Sequence, residues 1–415
     1  MNETAARYRE VVYPQYLQAA AHPRSALAMA KLFGLAVGDP GSARVLEIAC
    51  NRGTTVGWIA ATLPESRCIG IDIVERAVAE AEGVFGHLPN IAFRQGDVAT
   101  LDLGDAVFDV IVVQGLFSWV DDAARDGIMR VAGRHLAEGG VALISYNAMP
   151  GSAYRSAIRE LMLMEEARGE PLQRGLERLM AALPGVEGLS HVPLLREICE
   201  RVGAQDPAVL RHDDGAHEAE PFYLMQVAEW AAGHGLSYVA DSDLALDWIG
   251  AMPVEIQKAL HGLPRLEALQ YCDYLLNLPY RRSIFARAAD ARALRAGPDL
   301  TAALDLHVLP VFERLEEDPE TGAPNFGRPD DPKRVMSPRE TRGVALLDAM
   351  VGRPLAPLRS FLEAAGIDPS TEGEAAAAMV LQASMRQLCT VSLGPPPPMP
   401  DAPGAATPET AAGTV

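Results

Sequence analysis

The chain has 415 residues, 49% of them hydrophobic and 22% charged, with a formal net charge of −19 and only three lysines, Lys31, Lys258 and Lys333. Its length suits a packed core divided over two or three domains, and no apolar run approaches the ~18–20 residues of a membrane span. A nucleic-acid backbone demands clustered basic side chains, so nucleic acid is excluded as a natural partner; a basic protein segment fits the acidic balance, which also serves solubility alone.

The N-terminus, Met-Asn-Glu-Thr-Ala-Ala-Arg-Tyr, lacks a basic region followed by an apolar core, so no secretory signal is expected. Five cysteines (Cys50, Cys68, Cys199, Cys272, Cys389) are scattered without Cys-x-x-Cys spacing, which fits a reducing, cytoplasmic compartment. Ala6–Leu17 and Ser25–Phe33 read as helices broken at His22-Pro23. Then short β-rich runs alternate with helical ones. The predicted strands are Ala43–Ile48, Arg67–Ile71, Ile91–Gln95, Phe108–Gln114 and Val141–Tyr146; the predicted helices are Thr55–Leu63, Glu75–Phe85 and Ala123–His135. Continuous apolar runs such as Val110-Ile111-Val112-Val113 suit buried parallel strands. The alternation predicts a doubly wound, Rossmann-like α/β sheet.

Residues 153–205 read as helical, interrupted at Leu183-Pro184-Gly185. A helix over Pro221–Ala232 leads to a strand at Leu236–Ala240, read as a late strand of the same sheet, and residues 253–290 read as helical again. Residues 300–392 form a further block with a β-like piece (Leu304–Phe312), a Pro/Gly-rich loop (Asp318–Pro338) and helices near Arg339–Met350 and Leu355–Ala365. From Gly394 the tail is too poor in apolar residues to fold. The expected division is a cofactor-binding domain over 1–165 with the N-terminal helices, a mainly helical middle domain over 166–295, a C-terminal domain over 300–392 and a disordered tail over 393–415.

The chemistry is expected at the strand ends. Ala49-Cys50-Asn51-Arg52-Gly53 joins a buried strand to a helix, where small residues and free N–H groups admit a nucleotide cofactor. Glu47, Asp72 and Asp97 stand at successive strand ends about 25 residues apart. Asp72 is placed for ribose hydroxyls and Asp97 for an adenine amino group; a helix N-cap is the bland alternative for any one of them. Only Gly53 survives of the Gly-x-Gly-x-x-Gly a nicotinamide dehydrogenase would use. No metal site is evident: His212 and His217 lie among Asp213, Asp214 and Glu218, a grouping that reads as a solvated loop.

The loop and Gly96-Asp97-Val98 resemble class I S-adenosylmethionine-dependent methyltransferases, whose first motif is typically Glu-x-Gly-x-Gly-x-Gly; Asp109 matches that superfamily's fourth-strand opening. Tyr13-Pro14, His22-Pro23, Gln114-Gly115-Leu116-Phe117-Ser118-Trp119-Val120 and Ser145-Tyr146-Asn147-Ala148-Met149-Pro150-Gly151 narrow the resemblance to rickettsial-type bacterial protein-lysine methyltransferases with a methyltransferase regulatory domain. The likeness continues in Glu220-Pro221-Phe222-Tyr223 and in Tyr274-Leu275-Leu276-Asn277 with Arg281-Arg282. It implies S-adenosyl-L-methionine as cofactor, a protein or peptide lysine as acceptor, and a winged-helix-like C-terminal domain; a homodimer is a candidate assembly. The cofactor residues it implies are Glu47, Ala49, Cys50, Asn51, Gly53, Asp72, Ile73, Asp97, Val98, Gln114 and Gly115. Tyr13, Trp119, Tyr146 and Asn147 are the candidates around the reacting methyl, with core packing the alternative for the aromatics and loop shaping for Asn147. Departures from the family are Ala49 and Asn51 for glycines, Gln114 for a histidine and Phe117 for a tyrosine. A small-molecule or carrier-bound acceptor and a non-catalytic scaffold remain open alternatives.

Overall fold

The computed structural model describes residues 14, 16–216, 218–319 and 321–395. Tyr13, His217, most of the helix expected over Ala6–Leu17 and the tail beyond Pro395 lie outside them. The first helix described is α1 (Pro23–Leu32). The buried ring of His22 caps it, Nδ1 accepting the Arg24 N–H at 3.2 Å.

Five parallel strands follow: β1 (Arg44–Ile48), β2 (Arg67–Asp72), β3 (Ile91–Gln95), β4 (Phe108–Val113) and β5 (Leu136–Asn147). Between them run α2 (Thr54–Thr62), α3 (Glu75–Phe85) and α4 (Asp122–His135). These bounds follow the expected ones closely, because each central strand is apolar on both faces and each helix follows a turn signal. The chain then forms α5 (Ala153–Glu166), α6 (Gln173–Ala182), α7 (Val192–Gly203) and α8 (Leu224–Gly233).

Strand β6 (Leu236–Asp241) belongs to the same sheet, as expected. After α9 (Val254–Ala259) and α10 (Arg265–Leu276), the chain departs from expectation. Tyr280–Arg287 is a strand, β7, where the sequence reads as helix. It inserts antiparallel between β5 and β6, giving the order β3-β2-β1-β4-β5-β7-β6. Its three arginines mask the strand pattern, and only tertiary partners make Arg281 tolerable inside a sheet. Chain from beyond residue 230 therefore completes the sheet begun at Arg44.

The remaining block holds two three-stranded sheets. One comprises β8 (His307–Pro310), β12 (Ala356–Pro357) and β13 (Cys389–Ser392) in the order β12-β8-β13. The other comprises β9 (Glu313–Arg314), β10 (Phe326–Arg328) and β11 (Asp331–Met336), the last two within the stretch expected as loop. Helices α11 (Thr341–Met350), α12 (Leu358–Ala364) and α13 (Gly373–Met385) pack on them. This block shares one apolar core with α1, through Leu27, Leu32, Val308, Leu346 and Leu381 among others.

Candidate active site at the carboxyl edge of the sheet

The loop leaving β1 has a particular backbone. Ala49, Asn51 and Gly53 all adopt left-handed conformations, with φ of 59°, 50° and 73°. Glycine enters that region freely and asparagine tolerates it, but alanine is strained there by ~1–2 kcal/mol. The alternate small residues of the loop thus answer a conformational demand. Gly53 answers a steric one too: a Cβ would sit 2.5 Å from the Phe93 ring.

Two buried carboxylates brace the loop. Glu47 accepts the Val56 N–H at 3.0 Å, tying β1 to the first turn of α2. Burial pushes its carboxyl up to about 8, against the Val56 hydrogen bond and with the charge of Asp72. Asp72 accepts the N–H of Asn51 at 2.8 Å on one oxygen and that of Val74 at 2.9 Å on the other. Burial raises its pKa as well, with those N–H groups opposing. Cys50 is buried, and its N–H donates to the Ile71 carbonyl at 3.0 Å.

Further along the edge, Asp97 accepts the Ala99 N–H at 3.0 Å within a turn, and no helix starts there. Val98 is buried, and its carbonyl receives Arg130. Ile73 offers its carbonyl to the Gln95 amide at 3.2 Å. Gln114, just past β4, has both amide atoms enclosed and without a hydrogen-bond partner. A buried unpaired amide costs ~1–3 kcal/mol, so Gln114 has hydrogen-bonding capacity free for a ligand's polar groups. Beside it Gly115 donates to Ser145 Oγ at 2.8 Å and faces open space. Enclosed carboxylates, an orphaned amide and an open glycine on neighbouring strand ends fit a nucleoside cofactor.

The expected acceptor-side residues separate. Trp119 closes a single turn, Phe117–Trp119, and is half-buried. Ser118 is the hub there: its Oγ accepts the Asn147 N–H and its carbonyl accepts the Glu220 N–H, both at 2.9 Å. Asn147 ends β5, and its carbonyl accepts the Phe222 N–H at 2.9 Å. Tyr146 points to the opposite face, packed on Phe117 with its hydroxyl 2.9 Å from Ser283 Oγ. Asp109 holds Arg44 through two hydrogen bonds from the guanidinium, at 2.8 and 2.9 Å, a structural pairing of strand starts.

One aromatic was missed by sequence reasoning. Tyr280 opens β7 directly opposite Asn147. Burial of its hydroxyl, which hydrogen-bonds Ser145, raises its pKa although the residue is 37% exposed. No local motif marks it, because its place depends on β7 joining the sheet. Tyr16 is half-buried, its pKa raised by burial and then by the charges of Asp213 and Asp206. Among the described residues, no group of three or more His, Cys, Asp or Glu side chains is arranged to hold a metal ion.

The topology is Rossmann-like, a parallel sheet flanked by helices and closed by an antiparallel strand. Residues 45–140 match the family described as a methyltransferase domain, and residues 206–287 match that described as a predicted methyltransferase regulatory domain. The chain is 29% identical over 288 residues to the uncharacterized protein RP789 of Rickettsia prowazekii, covering 67% of this chain and 52% of that protein. The chain thus spans about half the length of this curated relative. It is 27% identical over 206 residues to trans-aconitate 2-methyltransferase of Acidovorax, covering 49% of this chain and 72% of that one. Its fold superposes on PKMT2 from Rickettsia typhi in complex with AdoHcy with a TM-score of 0.78 and 21% identity, covering 92% of this chain and 77% of that one.

Proposed function

We propose that the protein transfers the methyl group of S-adenosylmethionine to lysine side chains of a polypeptide. The observation that carries the cofactor half is the crevice edge: buried Glu47 and Asp72 with only backbone donors, a left-handed loop, and the orphaned Gln114 amide. When bound, the cofactor supplies a methyl carbon activated by a positively charged sulfur. Asp72 accepts ribose hydroxyls, while Ile73, Asp97 and Val98 border the base. Ala49, Cys50, Asn51 and Gly53 present main-chain groups to the amino-acid portion, and Glu47 holds the helix start beneath them. Gln114 and Gly115 border the reacting side.

Methyl transfer asks the protein mainly to align nucleophile and carbon and to exclude water. A lysine amine must arrive deprotonated, which desolvation beside Trp119 and Tyr280 favours. Aromatic faces also suit an ammonium product. Asn147 orients the nucleophile, and Tyr146 supports that strand end from the core side. The lysine half is supported by the acidic chain and by the likeness to rickettsial-type protein-lysine methyltransferases. Five buried, unpaired cysteines support a reducing, cytoplasmic setting.

The likeness to trans-aconitate 2-methyltransferase favours a second reading, a small-molecule acceptor. Radiolabelled S-adenosylmethionine added to a cell extract separates the two: label in protein acid-stable adducts on lysine supports the first, and label only in the small-molecule fraction overturns it. Calorimetry with S-adenosylhomocysteine tests the cofactor half, and absence of binding would leave only a scaffold.

A further inference from the structure

Helix α10 is apolar on two faces. Leu269 is buried in the core on the sheet, and Ala268 and Cys272 in a small cluster with Leu260, Met252 and Ile256. Yet Tyr271, Tyr274 and Leu275 point outward at helical spacing and are 54%, 54% and 59% exposed. Met225 of the adjoining α8 extends the patch at 45% exposed, its N–H anchored on Gln270 Oε1 at 3.2 Å. Tyr223 stacks on Tyr274, ring centroids 5.9 Å apart and 24° between planes. Every exposed tyrosine among the described residues lies between positions 271 and 280. Contiguous aromatic and Met surface of this kind marks an interaction site more often than a solvated face.

The patch runs into the catalytic edge. Asn277 turns the chain with φ 46° at the end of α10. The Leu278 carbonyl then accepts the Gly151 N–H at 3.1 Å, and the Pro279 carbonyl accepts the Ala148 N–H at 2.8 Å. Tyr280 stands opposite Asn147. Tyr274 and Tyr280 are six residues apart in a chain that turns at Asn277, so the patch lies within ~20 Å of the edge. The rim is acidic: Glu229 is exposed and Glu267 half-buried, while exposed Glu220 pairs with Arg125 at 2.9 Å. Helix α8 has no Lys or Arg, and the one arginine of α10, Arg265, turns inward to the Val239 carbonyl at 2.7 Å and Asp247 at 3.3 Å.

We propose that the Tyr223–Met225–Tyr271–Tyr274–Leu275 face docks the methyl-acceptor polypeptide, seating an apolar anchor within about six residues of the lysine delivered beside Asn147 and Tyr280. The proposal rests on the protein-acceptor reading above. An apolar floor within a carboxylate rim complements a basic segment with an apolar anchor, and the stacked tyrosine pair presents it with little ordering cost.

The test uses the full chain and the variant Tyr271→Ser/Tyr274→Ser/Leu275→Ser. The probe is a fluorescein-labelled peptide with one lysine about six residues from a Leu-Phe pair, read by anisotropy with S-adenosylhomocysteine present. Binding by the wild type at least about tenfold tighter than by the variant, at unchanged S-adenosylhomocysteine affinity, supports docking here. Tyr271→Lys, which adds a repelling charge without touching the stacked pair, weakens binding in the same direction. Equal binding by all three proteins, no binding by the wild type, or a wild-type dimer that the triple variant dissolves would overturn the proposal. Should the peptide bind at this face while no protein accepts label from S-adenosylmethionine, the lysine-transfer reading falls and the docking surface stands.

Discussion

Two groups of buried carboxylates lie in or against the same sheet and are satisfied in different ways. At the carboxyl edge, Glu47 and Asp72 have backbone N–H partners, and among the described residues no cation pairs with either. Under β7, Asp241, Asp247 and Asp273 enclose two guanidiniums. Arg281 donates to Asp273 at 2.6 Å and lies 3.5 Å from Asp241, and Arg265 reaches Asp247 at 3.3 Å. Tyr238 donates to Asp247 at 2.8 Å. Three carboxylates against two arginines leave one excess negative charge, and burial raises Asp241 to about 7, Arg281 opposing and Asp247 reinforcing. The difference separates a lock from a site. Neutralised charges fasten β7 to the fold; carboxylates held by N–H groups alone keep acceptor capacity for an incoming ligand.

The largest effect that sharpens this contrast falls on the lock. Asp273→Ala takes from buried Arg281 its shortest carboxylate partner, leaving Asp241 at 3.5 Å, and should cost about 3–5 kcal/mol of stability by urea unfolding; a loss below about 1 kcal/mol would mean Asp241 or water compensates. Next comes Glu47→Gln, through pH. The folded state holds the Glu47 proton up to about 8, against an ordinary value of 4.5, so the folded state binds more protons than the unfolded chain between those limits. The associated stability is therefore present below pH 4.5 and lost as pH rises towards 8. Cofactor-free Glu47→Gln should then exceed the wild type by roughly 2–4 kcal/mol at pH 8, with the gap closing near the lower limit. A pH-independent difference would show that burial does not control this carboxyl.

Asp72→Ala should weaken S-adenosylhomocysteine binding by roughly 1.5–3 kcal/mol in calorimetry, since it removes a charged hydrogen-bond acceptor. Unchanged affinity would remove the ribose role and blur the line between the two carboxylate groups. The smallest effect is Ala49→Gly. Relief of left-handed strain, partly offset by greater freedom of the unfolded chain, should raise stability by about 1 kcal/mol. A decrease would mean that the alanine methyl has packing worth more than the strain.

Legibility in the sequence followed locality. Val110–Val113 announced a buried strand by composition, and Glu75–Phe85 announced its helix by periodicity, to the same bounds as observed. The loop could be read because Asn51 and Gly53 are residue types that accept positive φ; that Ala49 shares the conformation was not readable from an alanine. Tyr280, Arg281 and Arg282 misled, because a strand with a buried arginine looks like an exposed helix until its aspartates arrive from α10 and β6. Tyr146 was grouped with the acceptor aromatics, whereas strand alternation turns it to the core side, against Ser283.

The sequence by itself determined the five parallel strands, the loop between β1 and α2, and the acids Glu47 and Asp72, since each is specified by neighbours within a few positions. Only tertiary structure decided that β7 enters between β5 and β6, that Tyr280 faces Asn147, and that α10 leads through Asn277 into β7. Those outcomes depend on charges that are tolerable only once their counter-charges, distant in the chain, have been brought against them.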